Sequence, residues 1–77
     1  MTRLPRATGG QVVAALQRAS FEISHIRGSH YYLRRPGSGP LVPVPVHGNR
    51  DLPFGTLRSI LRLASLTPEE FADLLRG

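Results

Sequence analysis

The chain has 77 residues, and a chain of this length buries only about 60% of its unfolded surface, so its apolar residues suffice for one thin core. Ten arginines and no lysine stand against five acidic residues, and the formal charge of +5 favours a polyanionic partner such as nucleic acid, although it also aids solubility. Because the sequence has no cysteine, no signal-peptide pattern and no apolar run of membrane-spanning length, we expect one soluble, cytoplasmic domain over residues 1–77 with no membrane partner.

A first helix is predicted from Thr8 to about Ala19. Thr8 and Gln11 have the spacing of a capping box ahead of an apolar run. Gly9 and Gly10 lower the helix propensity of the first turn, so we expect that end to fray. Apolar residues recur at steps of three and four, which predicts one buried face. These residues are Val12, Val13, Leu16 and either Ala15 or Ala19.

A β-hairpin is predicted next. Apolar and polar residues alternate at the start of Phe21–Ile26, which is typical of a half-buried strand, and Gly28-Ser29 matches a two-residue hairpin turn. The return strand extends over residues 30–35. Alternation places Tyr31 and Leu33 on one of its faces, and His30, Tyr32 and Arg34 on the other. If Leu33 belongs to the core, His30 faces solvent.

The third predicted strand, Leu41–His47, follows a segment of turn-forming residues at 36–40. Its valines at 42, 44 and 46 alternate with Pro43, Pro45 and His47. Successive amides of a strand face opposite edges, so the two prolines remove hydrogen-bond donors from the same edge. The sequence therefore predicts an outer strand whose open edge cannot pair further.

Two helices are predicted after a polar loop over residues 48–55. Thr56 is the predicted N-cap of the first, whose buried stripe comprises Leu57, Ile60, Leu61 and Ala64, with Arg58 and Arg62 on the opposite side. Thr67 to Glu70 form a second capping box with proline at the first helical position, and a short helix follows to about residue 75. It should dock through Phe71, Leu74 and Leu75. The predicted fold class is α+β, with a three-stranded antiparallel sheet packed on one side by helices.

Three blocks of the sequence, in this order, resemble the HicA family of bacterial toxins: Arg27-Gly28-Ser29-His30, Val44-Pro45-Val46-His47 and Gly55-Thr56-Leu57-Arg58-Ser59-Ile60-Leu61. The resemblance covers essentially the whole chain. It implies a fold similar to the double-stranded-RNA-binding domain, in the order α-β-β-β-α with a short C-terminal helix. It also implies a ribonuclease directed at messenger RNA, with His30 as its catalytic residue and a HicB-type antitoxin that occludes the site.

Two residues depart from the family pattern. Ser20 stands where the family usually has a glycine before the phenylalanine, and we expect this difference to alter the end of the first helix. His25 stands where an arginine or a similar basic residue often lies, which leaves one fewer fixed cation near the proposed site.

The ribonuclease chemistry is consistent with the residues themselves. RNA supplies its own nucleophile, the 2′-hydroxyl, so an enzyme needs mainly a proton acceptor and charge stabilisation. A neutral imidazole can accept that proton at about pH 7 and accelerate the reaction about 10²- to 10⁴-fold. We expect RNA to be bound by the residues around the predicted hairpin: Arg27, Gly28, Ser29, Arg34 and Arg35.

A metal ion or other cofactor is not expected. Glu22 and Asp51 are isolated in sequence, Glu69 and Glu70 belong to a helix cap, and the three histidines lack a familiar ligand spacing. The sequence therefore does not favour a two-metal nuclease.

Other roles remain open for these residues. An exposed histidine in a small domain is most often ordinary surface, and His47 is expected to hydrogen-bond locally at its strand end or pack over the loop. His25, Tyr31 and Tyr32 are expected on the sheet surface or in the core. Arg58 and Arg62 fit a solvated helix face or a phosphate contact. The alternative function is a non-catalytic RNA-binding or protein-interaction module of the same fold.

Overall fold

The computed structural model describes residues 3–37 and 39–77, and Ser38 of the predicted turn segment lies outside them. Within these residues the order is helix, three strands and two helices, and all strand pairs are antiparallel in the order β1-β2-β3. This confirms the predicted α+β class. The elements are α1 (Gly9–Arg18), β1 (Glu22–Arg27), β2 (His30–Arg34), β3 (Val42–Pro45), α2 (Phe54–Ala64) and α3 (Pro68–Arg76).

Capping boxes start α1 and α3, as the sequence predicts. The Thr8 hydroxyl accepts the Gln11 N–H at 3.2 Å, and the Gln11 side chain accepts the Thr8 N–H at 2.8 Å. Thr67 and Glu70 repeat the arrangement at 3.1 and 2.8 Å. Each cap satisfies helix donors that would otherwise lack a partner, and is worth about 1 kcal/mol.

One face of the sheet carries the core, because the buried residues of β2 and β3 lie on the side covered by α1. Helices α2 and α3 complete the core along β3 and α1, and the predicted apolar faces of all three helices are confirmed. The largest fully buried side chains are Val12, Leu16, Leu33, Val42, Val44, Leu57 and Phe71. The opposite face of the sheet remains open.

Gly9 lets α1 begin directly on β3. It is buried, and a Cβ atom at this position would lie 2.0 Å from the Pro45 carbonyl oxygen and 2.9 Å from the Val46 Cα atom. Any side chain would collide there with backbone atoms. Gly9 therefore has a packing role that its low helix propensity conceals, whereas a Cβ at Gly10 would meet no atom within 4 Å.

The prediction for β1 is wrong in its burial. Phe21 is buried but precedes the strand, and every residue of β1 is exposed. The pairing register shifts between Ile23, which opposes Leu33, and His25, which opposes Tyr32. The additional residue, Ser24, forms a bulge that changes the alternation. His25 consequently lies on the open face of the sheet beside Tyr32. Regular alternation would instead have placed it on the same face as Ile23.

The third strand is an edge strand, as predicted, although it is shorter than residues 41–47. The Val46 N–H donates to the Ser29 carbonyl at 2.7 Å, so the even-numbered amides of this segment face β2. The nitrogens of Pro43 and Pro45 therefore face the free edge, where they offer no donor to a further strand.

The predicted N-cap of α2 is wrong. The helix begins at Phe54 with Pro53 as its N-cap, and Thr56 lies inside the first turn. The preceding segment is fixed by the N-terminal residues, because Thr8 bridges to Asp51 and the Leu52 N–H donates to the Ala7 carbonyl at 2.8 Å. Because of this pairing the helix begins three residues earlier than predicted, and Thr56 is available to line another surface.

Helices α1 and α2 both end with a serine in the left-handed region, at φ 73° for Ser20 and 57° for Ser65. The Phe21 N–H reaches back to the Leu16 carbonyl and the Leu66 N–H to that of Leu61, the bonding pattern of a Schellman motif. Glycine is the residue favoured at such positions. Both serines therefore carry the strain of a side chain at these helix ends.

Candidate active site

His30 is the first residue of β2 and is exposed on the open face of the sheet. Arg27 and His30 are paired across a two-residue turn in which Gly28 has a φ of 59°. The predicted hairpin is therefore confirmed, and glycine suits its first central position because a side chain would be strained there. Leu33 is fully buried, so alternation along β2 directs His30 away from the core, as predicted.

His30 lies where two open cavities meet, of about 400 and 390 Å³. Together we call them the His30 groove. His30, Pro45 and Thr56 line both cavities, so the groove extends between β3 and α2 with the imidazole near its middle. Thr56, which does not cap α2, instead contributes to this wall.

The two arms of the groove differ in chemistry. His47, Arg50 and Asp51 line the first, which we call the loop arm. The second, the helix arm, is bounded mainly by apolar side chains and one hydroxyl: Pro43, Ser59, Ile60 and Leu63. A chain molecule lying along the groove would therefore pass from a charged segment to an apolar one at His30.

His47 lies beside His30, a proximity that the sequence did not predict. Its ring lies 6.4 Å from the His30 ring, centroid to centroid, with the planes at 88°. Within residues 3–37 and 39–77 the ring makes no hydrogen bond, although the His47 carbonyl accepts the Arg50 N–H at 3.3 Å. The expectation of a local hydrogen bond thus holds for its backbone and not for its imidazole. Extending the β2–β3 register by two residues would have indicated this proximity, because His30 opposes Pro45.

Aromatic side chains form a row across the open face of the sheet. His25 stacks on Tyr32 with ring centroids 4.5 Å apart and an interplanar angle of 8°, and Tyr32 lies 6.4 Å from His30. The Ser24 hydroxyl lies 3.1 Å from Nδ1 of His25. The Ser24 bulge therefore holds His25 on Tyr32 as part of the sheet surface, at the end of the row away from His47.

The structure separates the three arginines that the sequence grouped around His30. Arg27 pairs with His30 across the hairpin, and Arg34 pairs with Glu22 at the other end of β2. At about 3.3 Å per strand residue, Arg34 lies roughly 13 Å from His30. Arg50 of the loop arm, which the sequence reasoning missed, lines the same cavity as His30.

Arg35 is engaged in holding the fold together. Its guanidinium donates to the Ala19 and Ala64 carbonyls, both at 3.3 Å, and lies 4.5 Å from the centroid of the Phe21 ring. These contacts join the C-terminal ends of α1 and α2, where a cation is favoured by the helix dipole. The structure does not bring Arg35 to His30.

Gly28 and Ser29 form the turn that precedes His30, and neither lines an arm of the groove. Gly28 permits the turn, and the Ser29 carbonyl accepts the Val46 N–H, which links the residue before His30 to the residue before His47. Among the described residues no cluster of three or more histidine, aspartate or glutamate side chains is placed to hold a metal ion. No helix in the described part of the chain is long and apolar enough to cross a membrane.

The fold and the groove define a small basic α+β protein that presents a histidine at the exit of a hairpin turn. The family model described as the HicA toxin of bacterial toxin-antitoxin systems matches residues 9–66 of the 77-residue chain. The chain therefore belongs to the HicA toxin family, and membership implies an antitoxin partner. The match spans α1, the whole sheet and α2. No curated protein matches the chain.

Proposed function

We propose that this toxin is an endoribonuclease that cleaves messenger RNA in the cytoplasm without a metal ion, with His30 as its catalytic base, and that a HicB-type antitoxin inhibits it. The observation that carries the proposal is the position of His30: exposed, at the junction of the two arms of an open groove. An extended strand in that groove would bring one phosphate group beside the imidazole, with a nucleotide in each arm.

The reaction requires only groups that RNA and this site supply. His30 accepts the proton of the 2′-hydroxyl, and the oxygen attacks the neighbouring phosphorus atom. The bond from phosphorus to the 5′-oxygen of the next nucleotide breaks, and that oxygen takes a proton from water or from an acidic group of the site as it leaves. The products are a 2′,3′-cyclic phosphate and a 5′-hydroxyl. Positioning and proton transfer are the contributions expected of the protein.

One cation in the groove and one beside it support the binding of the phosphate chain. Arg27 beside His30 and Arg50 in the loop arm can donate to phosphate oxygens near the reacting bond. Gly28 and Ser29 form the turn against which the strand would lie. Arg34 lies farther along the open face and would contact a phosphate away from the scissile bond. Arg35 stabilises the fold through its hydrogen bonds to the ends of α1 and α2.

Inhibition by an antitoxin follows from the openness of the same surface. A HicB-type protein seated over the His30 groove would exclude RNA and mask Arg27 and Arg50. We therefore expect the antitoxin and RNA to compete for one surface.

The test is cleavage of RNA by purified protein in the presence of a chelator. Wild type is expected to cut and to leave a 2′,3′-cyclic phosphate, and His30→Ala to lose cutting by about 10²-fold or more with unchanged circular dichroism. His25→Ala is the matched control, because His25 is an exposed histidine of the same face at the far end of the row. Equal cutting by wild type and His30→Ala would refute the proposal. Binding of RNA by wild type with no cutting would favour a non-catalytic module.

The same variants should also differ in their toxicity to cells. Expression of wild type or His25→Ala without antitoxin should arrest growth, and expression of His30→Ala at a matched level should not. Equal toxicity of wild type and His30→Ala would contradict the role of His30.

A further inference from the structure

We propose that His47 is a second catalytic residue, the general acid that protonates the leaving 5′-oxygen while His30 acts as the base. The inference rests on the proposed ribonuclease function and names a partner for its histidine. Its basis is the placement of two exposed imidazoles, 6.4 Å apart between ring centroids, on the wall of one cavity.

The chemistry of the cut calls for two proton transfers. A base takes the proton of the 2′-hydroxyl, and the alkoxide that leaves at the 5′-oxygen is a poor leaving group unless an acid protonates it. In the balanced step, His30 gains one proton and O2′ bonds to phosphorus. The bond between phosphorus and O5′ breaks, and O5′ takes one proton from the His47 imidazolium. Each proton transfer of this kind contributes about 10²- to 10⁴-fold to the rate.

The distance between the rings fits this division of labour. A general acid or base must approach its oxygen to about 2.6–3.2 Å. Two rings 6.4 Å apart can each contact a different oxygen of one phosphate group that lies between them. The nearly perpendicular planes mean that neither ring covers the face of the other by stacking.

The backbone holds the two histidines in this relation. The Val46 N–H donates to the Ser29 carbonyl at 2.7 Å, so the residues that precede His30 and His47 are bonded to each other. After His47 the chain turns at Gly48, whose φ is 59°, and the Arg50 N–H returns to the His47 carbonyl. A spacing fixed by strand pairing on one side and by a turn on the other is suited to a catalytic pair.

Charged groups around His47 agree with its role. Arg50 and Asp51 line the cavity that the two histidines share. The guanidinium of Arg50 can hold a phosphate oxygen in the cavity beside His47. His25, by contrast, lies on Tyr32 with the Ser24 hydroxyl at its Nδ1 atom, and it lines neither arm of the His30 groove.

The test uses a substrate whose leaving atom needs no proton. A cleavage site is mapped on RNA with wild type, and two oligoribonucleotides that span it are compared, one normal and one with sulfur in place of the bridging 5′-oxygen. A thiolate leaves readily without an acid. His47→Ala should therefore cut the normal RNA about 10²- to 10⁴-fold more slowly than wild type but cut the sulfur substrate within about tenfold of wild type. His30→Ala should fail on both substrates, because the base is needed for each.

Two controls keep the readout specific. His47→Gln should behave as His47→Ala does, since it retains the size and polarity of the side chain without its acid, and His25→Ala should match wild type. Equal slowing of His47→Ala on both substrates, or normal cutting of the unmodified RNA, would overturn the inference. If His30→Ala rather than His47→Ala is rescued by sulfur, the assigned roles are reversed and the inference fails. Failure of wild type to cut either RNA would refute the ribonuclease function itself.

Discussion

The contact between Gly9 and β3 predicts opposite effects for two adjacent substitutions. In Gly9→Ala the new Cβ would lie 2.0 Å from the Pro45 carbonyl oxygen, whereas in Gly10→Ala it would meet no atom within 4 Å. Ordinary contacts between heavy atoms are about 3.5 Å or longer, so α1 would have to move off β3 by more than about 1 Å. The obstructing atoms belong to the backbone of a paired strand and cannot rotate away.

The magnitudes follow from general values. Replacing glycine by alanine in a helix stabilises it by up to about 1 kcal/mol, and this gain is common to both variants. Overpacking of a filled contact costs about 1–3 kcal/mol. Gly10→Ala should therefore be as stable as wild type or more stable, and Gly9→Ala should be less stable than Gly10→Ala by about 1–3 kcal/mol. For a domain of this size each 1 kcal/mol corresponds to about 4–8 °C in the melting temperature.

Thermal and urea unfolding followed by circular dichroism measure the difference directly. The gain in helix propensity is common to both variants, so the difference between their free energies of unfolding reports the contact between residue 9 and β3. Gly9→Ala with the melting temperature of Gly10→Ala would refute the close approach of α1 to Pro45. The contact also supports the site, because Pro45 opposes His30 in the sheet.

Three further predictions concern the core, a helix end and the arginines. Leu61→Ala should destabilise the protein by about 2–5 kcal/mol in urea unfolding, because Leu61 is only 3% exposed; wild-type stability would mean that the buried face of α2 is wrong. Ser20→Gly should raise stability by about 0.5–1 kcal/mol, since relief of the left-handed strain exceeds the added unfolded-state entropy, and a loss of stability would contradict a positive φ at this residue. Arg34→Glu should lower the slope of log affinity against log salt concentration for RNA binding by about 0.7. Arg35→Ala should leave that slope unchanged and lower the free energy of unfolding by about 1 kcal/mol. A changed slope in Arg35→Ala together with an unchanged slope in Arg34→Glu would contradict these roles.

Most of the fold could be predicted from local sequence patterns. The capping boxes at Thr8 and Thr67 and the Gly28-Ser29 turn depend on residues close in sequence, and all three were predictable. The edge position of β3 was also predictable, because proline removes a donor from the backbone wherever the strand lies. The start of α2 was not, since Pro53 follows a segment held by Ala7, a contact that no local pattern reveals.

The site was predictable only in part. The exposure of His30 follows from alternation along β2 once Leu33 is assigned to the core. The bulge at Ser24 changes alternation in β1, so the position of His25 could not be deduced from a period of two. The approach of His47 to His30 and the engagement of Arg35 by two helix ends are both contacts between distant parts of the chain, and they depend on the register of the sheet and the packing of the helices.

The proposed mechanism is cleavage of RNA through its own 2′-hydroxyl, with His30 as the base. Its most direct test is a substrate with deoxyribose immediately 5′ of the scissile phosphate, assayed with a chelator present. The claim predicts nearly normal binding, because the backbone charge is unchanged, and no cleavage, because the nucleophile is absent. Efficient cutting of the deoxy-substituted RNA, or cutting of ordinary RNA only with an added divalent ion, would show an activated water at work and contradict the claim.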